Sequence, residues 1–274
     1  MTTSDDPGFL ALARRIEGAV GLDLAAYKSR CLRRRIAVRM RAHGVHTYAE
    51  YLAVLDRTPG ELDRLLDALT INVTKFFRNG ETWRWLGERV LPGLLRAAEG
   101  RIRLWSAGCS SGEEAYTLAM LAARVLRDLG RAEWLERLRI DATDIDRLSL
   151  ERARLARYPA AAFSECEASQ VEPWRRAVGP DEYEIVPELR ALVCVRRLDL
   201  TAEPPPHPPY EIVVCRNVVI YFDRPTQERL MLAFHAALAP GGYLVLGKVE
   251  TIFGPARQHF ELVEPRERIY RKAA

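Results

Sequence analysis

One stretch limits what this chain can fold into more than any other. Residues 101–120 read RIRLWSAGCSSGEEAYTLAM: an apolar run, a loop of small residues, then a helical pattern. Ile102, Leu104 and Trp105 supply the β-type run. Gly108, Cys109, Ser110, Ser111 and Gly112 supply a loop in which backbone can approach a ligand closely. Ala115, Leu118, Ala119 and Ala122 recur at helical spacing behind Glu113 and Glu114, acids placed where the helix macrodipole favours them. Strand, glycine loop and helix is how an open α/β sheet binds a nucleotide-like ligand at its carboxyl edge. A plain turn between strand and helix is equally compatible with this stretch alone.

The rest of the chain alternates in the same way. Beyond residue 101, β-type runs at 138–146, within 187–200, at 210–222 and at 243–248 are separated by helical patterns at 150–157 and 226–238, which indicates a mostly parallel sheet. LAPGG at 238–242 reads as a turn. FELVEPRERIYRK alternates around a proline as a closing antiparallel pair. The expected fold class is α/β, with a seven-stranded sheet that resembles the class I methyltransferase sheet. Residues 160–198 are expected to hold a small inserted β-subdomain. The first ninety or so residues instead show apolar positions at three- and four-residue spacing over 7–19, 25–42, 47–55 and 60–70. The expected division is a helical domain over 1–90 and a sheet domain over 91–274.

Composition excludes several classes. The acidic start MTTSDDPGFL lacks a basic segment ahead of an apolar core, so no secretory signal is expected. No apolar run reaches the ~20 residues of a membrane span. The five cysteines are scattered with no Cys-x-x-Cys, which favours a reducing cytoplasm over structural zinc, and no metal site is expected. Net charge is only +4, but residues 28–41 hold seven basic residues and no acid. Leu32, Ile36 and Met40 mark the apolar face of that helix, leaving Lys28, Arg30, Arg33, Arg34, Arg35 and Arg41 largely on others. The run is either a solvated face or a surface whose field steers an acidic partner.

Two acids at the start of the helix suit a neutral or cationic ligand rich in hydroxyls and amines, such as S-adenosylmethionine, better than a phosphate, which would want bare amides. Asp144 ends the next strand, where doubly wound folds place a carboxylate on ribose hydroxyls. Its 36-residue separation from Gly108 exceeds the ~20 of a compact fingerprint. Asp144 could alternatively cap the next helix, a task better assigned to Asp146. Asn72, Thr74 and Arg78 flank Phe76 and Phe77, aromatics expected to pack between the two lobes. Arg216 and Asn217 interrupt an apolar run, where an arginine should meet a carboxylate.

Taken in order, LTINVTKFFR, LWSAGCSSGEEAYTLAM, ATDID and CRNVVIYFDRPTQERL resemble the CheR family of chemotaxis-receptor glutamate O-methyltransferases over nearly the whole chain. The resemblance implies S-adenosylmethionine as cofactor, contacted by Asn72, Thr74, Arg78, Gly108, Glu114, Asp144, Asp199, Leu200, Arg216 and Asn217. Asp199 and Leu200 would lie near the adenine, and Tyr221 beside the transferred methyl. It implies that the basic helix, through Arg30, Arg33, Arg34 and Arg41, engages the receptor's cytoplasmic methylation helices. The chain departs from the family at Gly247-Lys248-Val249-Glu250, where Gly-His-Ser-Glu is common. The turn at Gly179-Pro180-Asp181 looks too short for members that dock a receptor's C-terminal pentapeptide, so no such tether is expected.

An ionised glutamate needs no general base at neutral pH, and all five histidines lie outside the four motifs. Orientation and charge remain as catalytic devices. Arg78, with Arg216 as competing candidate, is expected to hold one substrate oxygen, and Tyr221 to fix the approach. A methyltransferase acting on nucleic acid is disfavoured because Cys-Arg-Asn replaces the proline-rich grip on a flipped base. A cofactor-binding signalling adaptor is the non-catalytic alternative. A monomer in the cytoplasm is expected.

Overall fold

The structure is a computed structural model that describes residues 6–20, 24–69 and 74–273. The chain divides into two units, Met1–Asn72 with Ile220–Gln227, and Val73–Val219 with Glu228–Ala274.

The first unit contains α1 (Pro7–Val20), α2 (Ser29–Ala42), α3 (Tyr48–Arg57) and α4 (Glu61–Leu69). Thr47 and Glu50 form a reciprocal capping box at the start of α3, which fixes that boundary locally. Leu12, Ile16, Leu32, Ile36, Tyr51 and Leu65 are buried and come from all four helices. Glu61 is buried too. It accepts from Arg39 Nε (3.0 Å), Arg39 Nη2 (2.6 Å) and Tyr51 Oη (2.7 Å), so a charge inside this small core is paired and hydrogen-bonded.

The second unit opens with α5 (Gly80–Trp85), a π-helical turn at Leu86–Val90 and α6 (Leu91–Ala97). Trp83, Leu86, Val90, Leu91 and Leu95 are buried in the same core as the sheet. That is why the helical unit closes at 72 rather than at 90. Phe76 and Phe77 also belong to this core rather than to a seam between lobes: Phe76 stacks on Phe163 (4.3 Å, 12°) and meets Tyr158 edge-on.

There follow β1 (Ile102–Ala107), α7 (Glu113–Asp128), β2 (Leu138–Asp144), α8 (Arg147–Leu155), β3 (Arg157–Pro159), α9 (Ala168–Val171), β4 (Arg175–Gly179), β5 (Glu182–Ile185), α10 (Pro187–Arg190), β6 (Val193–Arg197), β7 (Tyr210–Cys215), α11 (Arg224–Ala237), β8 (Leu238–Leu246), β9 (Phe260–Glu264) and β10 (Ile269–Lys272). Seven strands form one sheet in the order β6-β2-β1-β7-β8-β10-β9. The first five are parallel, and β10 runs antiparallel to both β8 and β9. Leu104, Leu138, Ile140 and Ala142 face the core shared with α7. On the opposite face Trp105 stacks with Tyr210 (5.4 Å) and meets Phe234 of α11 edge-on.

Two boundaries differ from the sequence reading. The insertion is the separate sheet β3-β5-β4, whereas residues 193–197 form the edge strand β6 of the main sheet. Burial decides this: Val193 and Val195 pack against the main core. Residues 238–242 are not a turn but the start of β8, where Gly241 at φ +70° accompanies a register shift. Glu184 is buried at the base of the insertion and pairs with Arg157, Arg176 and Arg190, from β3, β4 and α10.

Candidate active site

The five parallel strands end at one edge, and their exits place the candidate residues in a row. Asp199 follows β6, Asp144 ends β2, Gly108 follows β1, Arg216 and Asn217 follow β7, and Gly247 to Glu250 follow β8. Strand order reverses between β1 and β7, the switch point at which open α/β sheets take ligands.

The loop after β1 is shaped by backbone that other residues resist. Gly108 has φ +85°, and a Cβ there would lie 2.4 Å from Val218 Cγ2. Gly112 has φ +95°, and a Cβ would meet Ala153 and Tyr158 at 2.9 Å. Gly108 N–H and Cys109 N–H both donate to Thr143 O, and Ser110 N–H donates to Asp144 Oδ2 (2.8 Å). Asp144 Oδ1 accepts from Asp146 N–H (3.0 Å), so Asp144 ties the loop to its own strand end. Burial raises the Asp144 pKa against these backbone bonds. Asp146 is the cap of α8, accepting from Leu148 N–H (3.0 Å) and Ser149 N–H (3.4 Å).

The two acids at the start of α7 separate into different jobs. Glu113 is buried, both of its oxygens accepting from Ser111 Oγ, and it serves the loop. Glu114 accepts from Ser106 Oγ (2.8 Å) and forms an ion pair with Arg216 Nη1 (3.7 Å from Oε2). Burial pushes Glu114 up to about 7. Arg216, the Ser106 bond and Arg78 hold it down, while Glu250 adds to the rise.

Arg216 is buried. Its Nη2 donates to Asn79 Oδ1 (2.7 Å) and its guanidinium lies over Trp83, 5.3 Å from the ring centroid. Burial lowers its pKa, and the charge of Arg78 acts in the same sense. Arg78 is half-buried, and its backbone carbonyl accepts from Trp83 Nε1. Phe77 N–H donates to Thr117 Oγ1 on α7, which anchors the segment carrying Thr74 and Arg78.

The structure therefore brings Gly108, Glu114, Asp144, Asp199, Arg216 and Asn217 to one sheet edge, and Arg78 within electrostatic reach of Glu114 and Arg216. Leu200 follows Asp199 and is half-buried, as is Thr74. Asn72 lies outside the described residues. Tyr221 belongs to the helical unit. In that unit Arg30, Arg34 and Arg41 are exposed on α2, but Arg33 lies over Phe9 (4.0 Å) and bonds Ser29 Oγ and Tyr48 Oη. Arg35, expected on an open face, is buried.

Three residues absent from the sequence-based set belong to the site: Ser106, Asn79 and Glu250. Glu250 is buried, and its Oε2 accepts from Gly247 N–H (2.6 Å) and Asn217 N–H (2.8 Å). The Gly-x-x-Glu spacing was its only local signal. The Lys248 substitution is explained by an ion-pair network with Glu81 (2.9 Å) and Glu267 (3.0 Å), which also receives Thr82 Oγ1. Val249 beside it is 75% exposed.

The donor set fits S-adenosylmethionine. Asp199 is buried; its Oδ1 accepts from Thr201 N–H and Oγ1, while Oδ2 has no partner. Arg216 Nε is likewise buried and unpartnered. One orphaned acceptor, one orphaned donor and the carboxylates of Glu114 and Asp144 match a ligand with amines, hydroxyls, a carboxylate and a sulfonium, and no phosphate.

Comparison with known proteins agrees. Residues 72–269 match the model "CheR methyltransferase, SAM binding domain", and residues 7–70 match "CheR methyltransferase, all-alpha domain". A chemotaxis protein methyltransferase of Listeria monocytogenes is 35% identical over 90% of this chain and 91% of its own. One of Borreliella burgdorferi is 31% identical over 89% of this chain and 87% of its own. With both domain models matched in order and relatives above 30% identity along almost the whole chain, the chain belongs to the CheR family of S-adenosylmethionine-dependent methyltransferases.

Proposed function

We propose that this protein transfers the methyl group of S-adenosylmethionine to glutamate side chains on the cytoplasmic helices of a chemotaxis receptor, giving glutamyl methyl esters and S-adenosylhomocysteine. The observation that carries this reading is the pairing of an acceptor-rich wall, Glu114, Asp144 and Asp199, with two arginines, Arg78 and Arg216, and no histidine among them. Such a site binds a cationic donor and orients an anion, and a carboxylate nucleophile needs no more at neutral pH.

In this reading Asp144 accepts ribose hydroxyls, Asp199 Oδ2 an adenine N–H, and Glu114 the cationic end of the cofactor. Arg216 Nε donates to the cofactor carboxylate. When bound, the cofactor supplies an electrophilic methyl on sulfur. Arg78 holds one oxygen of the substrate carboxylate and leaves the other to attack. Glu250 fixes the backbone of Asn217 and Gly247 through two N–H bonds, so the exits of β7 and β8 keep their geometry during turnover. Thr74 lines the same site, and Tyr221 sets the approach angle.

Arg30, Arg34 and Arg41 form the receptor-binding surface. With Val38, which is also exposed, they fall on one stripe of α2 at helical spacing. An amphipathic helix rich in glutamate complements that stripe in charge. The β4–β5 connection is only Pro180-Asp181, which supports action without a pentapeptide tether. The site of action in this reading is the cytoplasm, and the protein acts as a monomer. Among the described residues no helix is long and apolar enough to cross a membrane.

The test is methyl transfer from labelled S-adenosylmethionine to a receptor cytoplasmic fragment. Label that mild base releases as methanol is expected. Base-stable label, or label incorporated into RNA or DNA instead, would sink the glutamyl reading.

A further inference from the structure

The segment after Asn217 leaves the sheet and becomes part of the helical unit. Lys28 N–H donates to Tyr221 O (2.9 Å), and Lys28 Nζ to Ile220 O (2.8 Å). Asp223 N–H donates to Ala26 O (2.9 Å), and Tyr27 and Phe222 form an antiparallel bridge with their rings 4.9 Å apart. The start of α2 therefore grips both sides of Tyr221.

Arg35, two turns into α2, lies with its guanidinium 4.9 Å from the centroid of the Tyr221 ring. It is 8% exposed. Its Nη1 donates to Ala68 O and Leu69 O, the last carbonyls of α4, which a cation satisfies well. Its Nη2 is buried with no partner. Among the described residues no carboxylate pairs with it; Glu61, the buried acid of this unit, is held by Arg39. Burying a guanidinium is costly, and capping α4 occupies only one of its terminal nitrogens. The remaining compensation is the π face of Tyr221, to which a desolvated cation binds most strongly.

We propose that Arg35 is a positioning residue for Tyr221, pressing on one face of its ring and fixing its orientation. The helix that carries Arg30, Arg34 and Arg41 would then also carry the support of Tyr221. This rests on the reading that Tyr221 acts in methyl transfer.

The test uses the full chain with a receptor fragment. Arg35→Met keeps an unbranched, flexible side chain but removes the charge, the planar guanidinium and the donor to the α4 carbonyls. It is expected to lower kcat about tenfold or more, with S-adenosylmethionine affinity by calorimetry and receptor KM within about twofold of wild type. Arg35→Lys keeps a cation and a donor for α4 but not the flat face, and its kcat should fall between the two. Tyr221→Ala combined with Arg35→Met should be no slower than Tyr221→Ala alone. Losses that multiply in the double variant would overturn the proposal, as would wild-type kcat in Arg35→Met while Tyr221→Ala is impaired. If Arg35→Met does not fold, Arg35→Lys decides, and wild-type kcat there overturns the proposal. Wild-type kcat in Tyr221→Ala would instead remove Tyr221 from the reaction, and the role of Arg35 with it.

Discussion

Glu114→Gln should abolish a pH dependence of cofactor binding that the wild-type chain shows. In the protein without ligand, burial raises Glu114 from 4.5 to about 7. That displacement corresponds to roughly 3 kcal/mol against the ionised form. The raised pKa means that the contribution to folding stability is complete below 4.5 and is lost as pH rises through about 7. A cationic ligand reverses the preference. A unit charge at contact distance is worth about 4 kcal/mol at an effective dielectric of ~20, enough to return the carboxyl to its ordinary range. Binding at pH 7 should therefore release about half a proton from Glu114, and affinity should fall roughly tenfold per pH unit below that point.

The measurement is calorimetry with S-adenosylmethionine from pH 5.5 to 8, in buffers of different ionisation enthalpy. Wild type should weaken by about 30-fold across that span beyond any change seen in Glu114→Gln. The amide keeps an acceptor for Ser106 Oγ but cannot ionise, so the two curves converge at low pH. The ligand's own amino group titrates in both proteins and cancels from the difference. Parallel curves, or a wild-type affinity flat with pH, would refute the assignment of Glu114 to the cationic end of the cofactor.

Asp144→Ala should weaken S-adenosylmethionine at least tenfold in the same assay, because it removes a ribose acceptor and releases Ser110 N–H and Asp146 N–H; unchanged affinity removes Asp144 from the site. Gly108→Ala should lower both thermal stability and cofactor affinity, since φ is +85° and the new Cβ meets Val218 at 2.4 Å. Adding Val218→Ala should recover part of the loss but not all, and full recovery would mean that backbone conformation is not limiting. Arg78→Ala should cut turnover heavily while cofactor affinity falls less; wild-type turnover would exclude Arg78 from the mechanism. Reversing Arg30, Arg34 and Arg41 to Glu should raise the receptor KM and flatten its salt dependence, measured from 50 to 300 mM salt as an order-of-magnitude range. An unchanged KM would return the stripe to a merely solvated face.

Features set by neighbours along the chain were legible in the sequence. The loop 108–112 has glycine at its two most positive φ values, +85° at Gly108 and +95° at Gly112, while Ser110 takes +49°, and Asp146 caps N–H groups only two and three residues away. The parallel sheet followed from apolar runs alternating with helical patterns, and Asp144 from its place at a strand end. Periodicity also found the four helices of the first unit, but not which arginines of α2 are exposed. Arg35 and Arg39 stand three and seven residues after Leu32, on the flank of the apolar stripe, and the carbonyls of α4 and Glu61 draw them inward.

Tertiary structure alone decided the rest, because those roles depend on groups far apart in sequence. Glu250 holds the backbone of Asn217, Asn79 holds Arg216, and Lys248 is bound to Glu81 and Glu267. The near-neutral pKa of Glu114 arises from burial beside Arg216, Arg78 and Glu250, three separate segments. The division of Glu113 from Glu114 is likewise spatial: adjacent positions on a helix point about 100° apart, and only packing says which one meets Ser111 and which one meets Arg216. The sequence by itself determined the sheet, its glycine loop and the acids available for a cationic cofactor. The packed chain determined which of those acids are taken up by Ser111 and by backbone N–H groups and which one faces Arg216, and that Tyr221 is held by the helical unit.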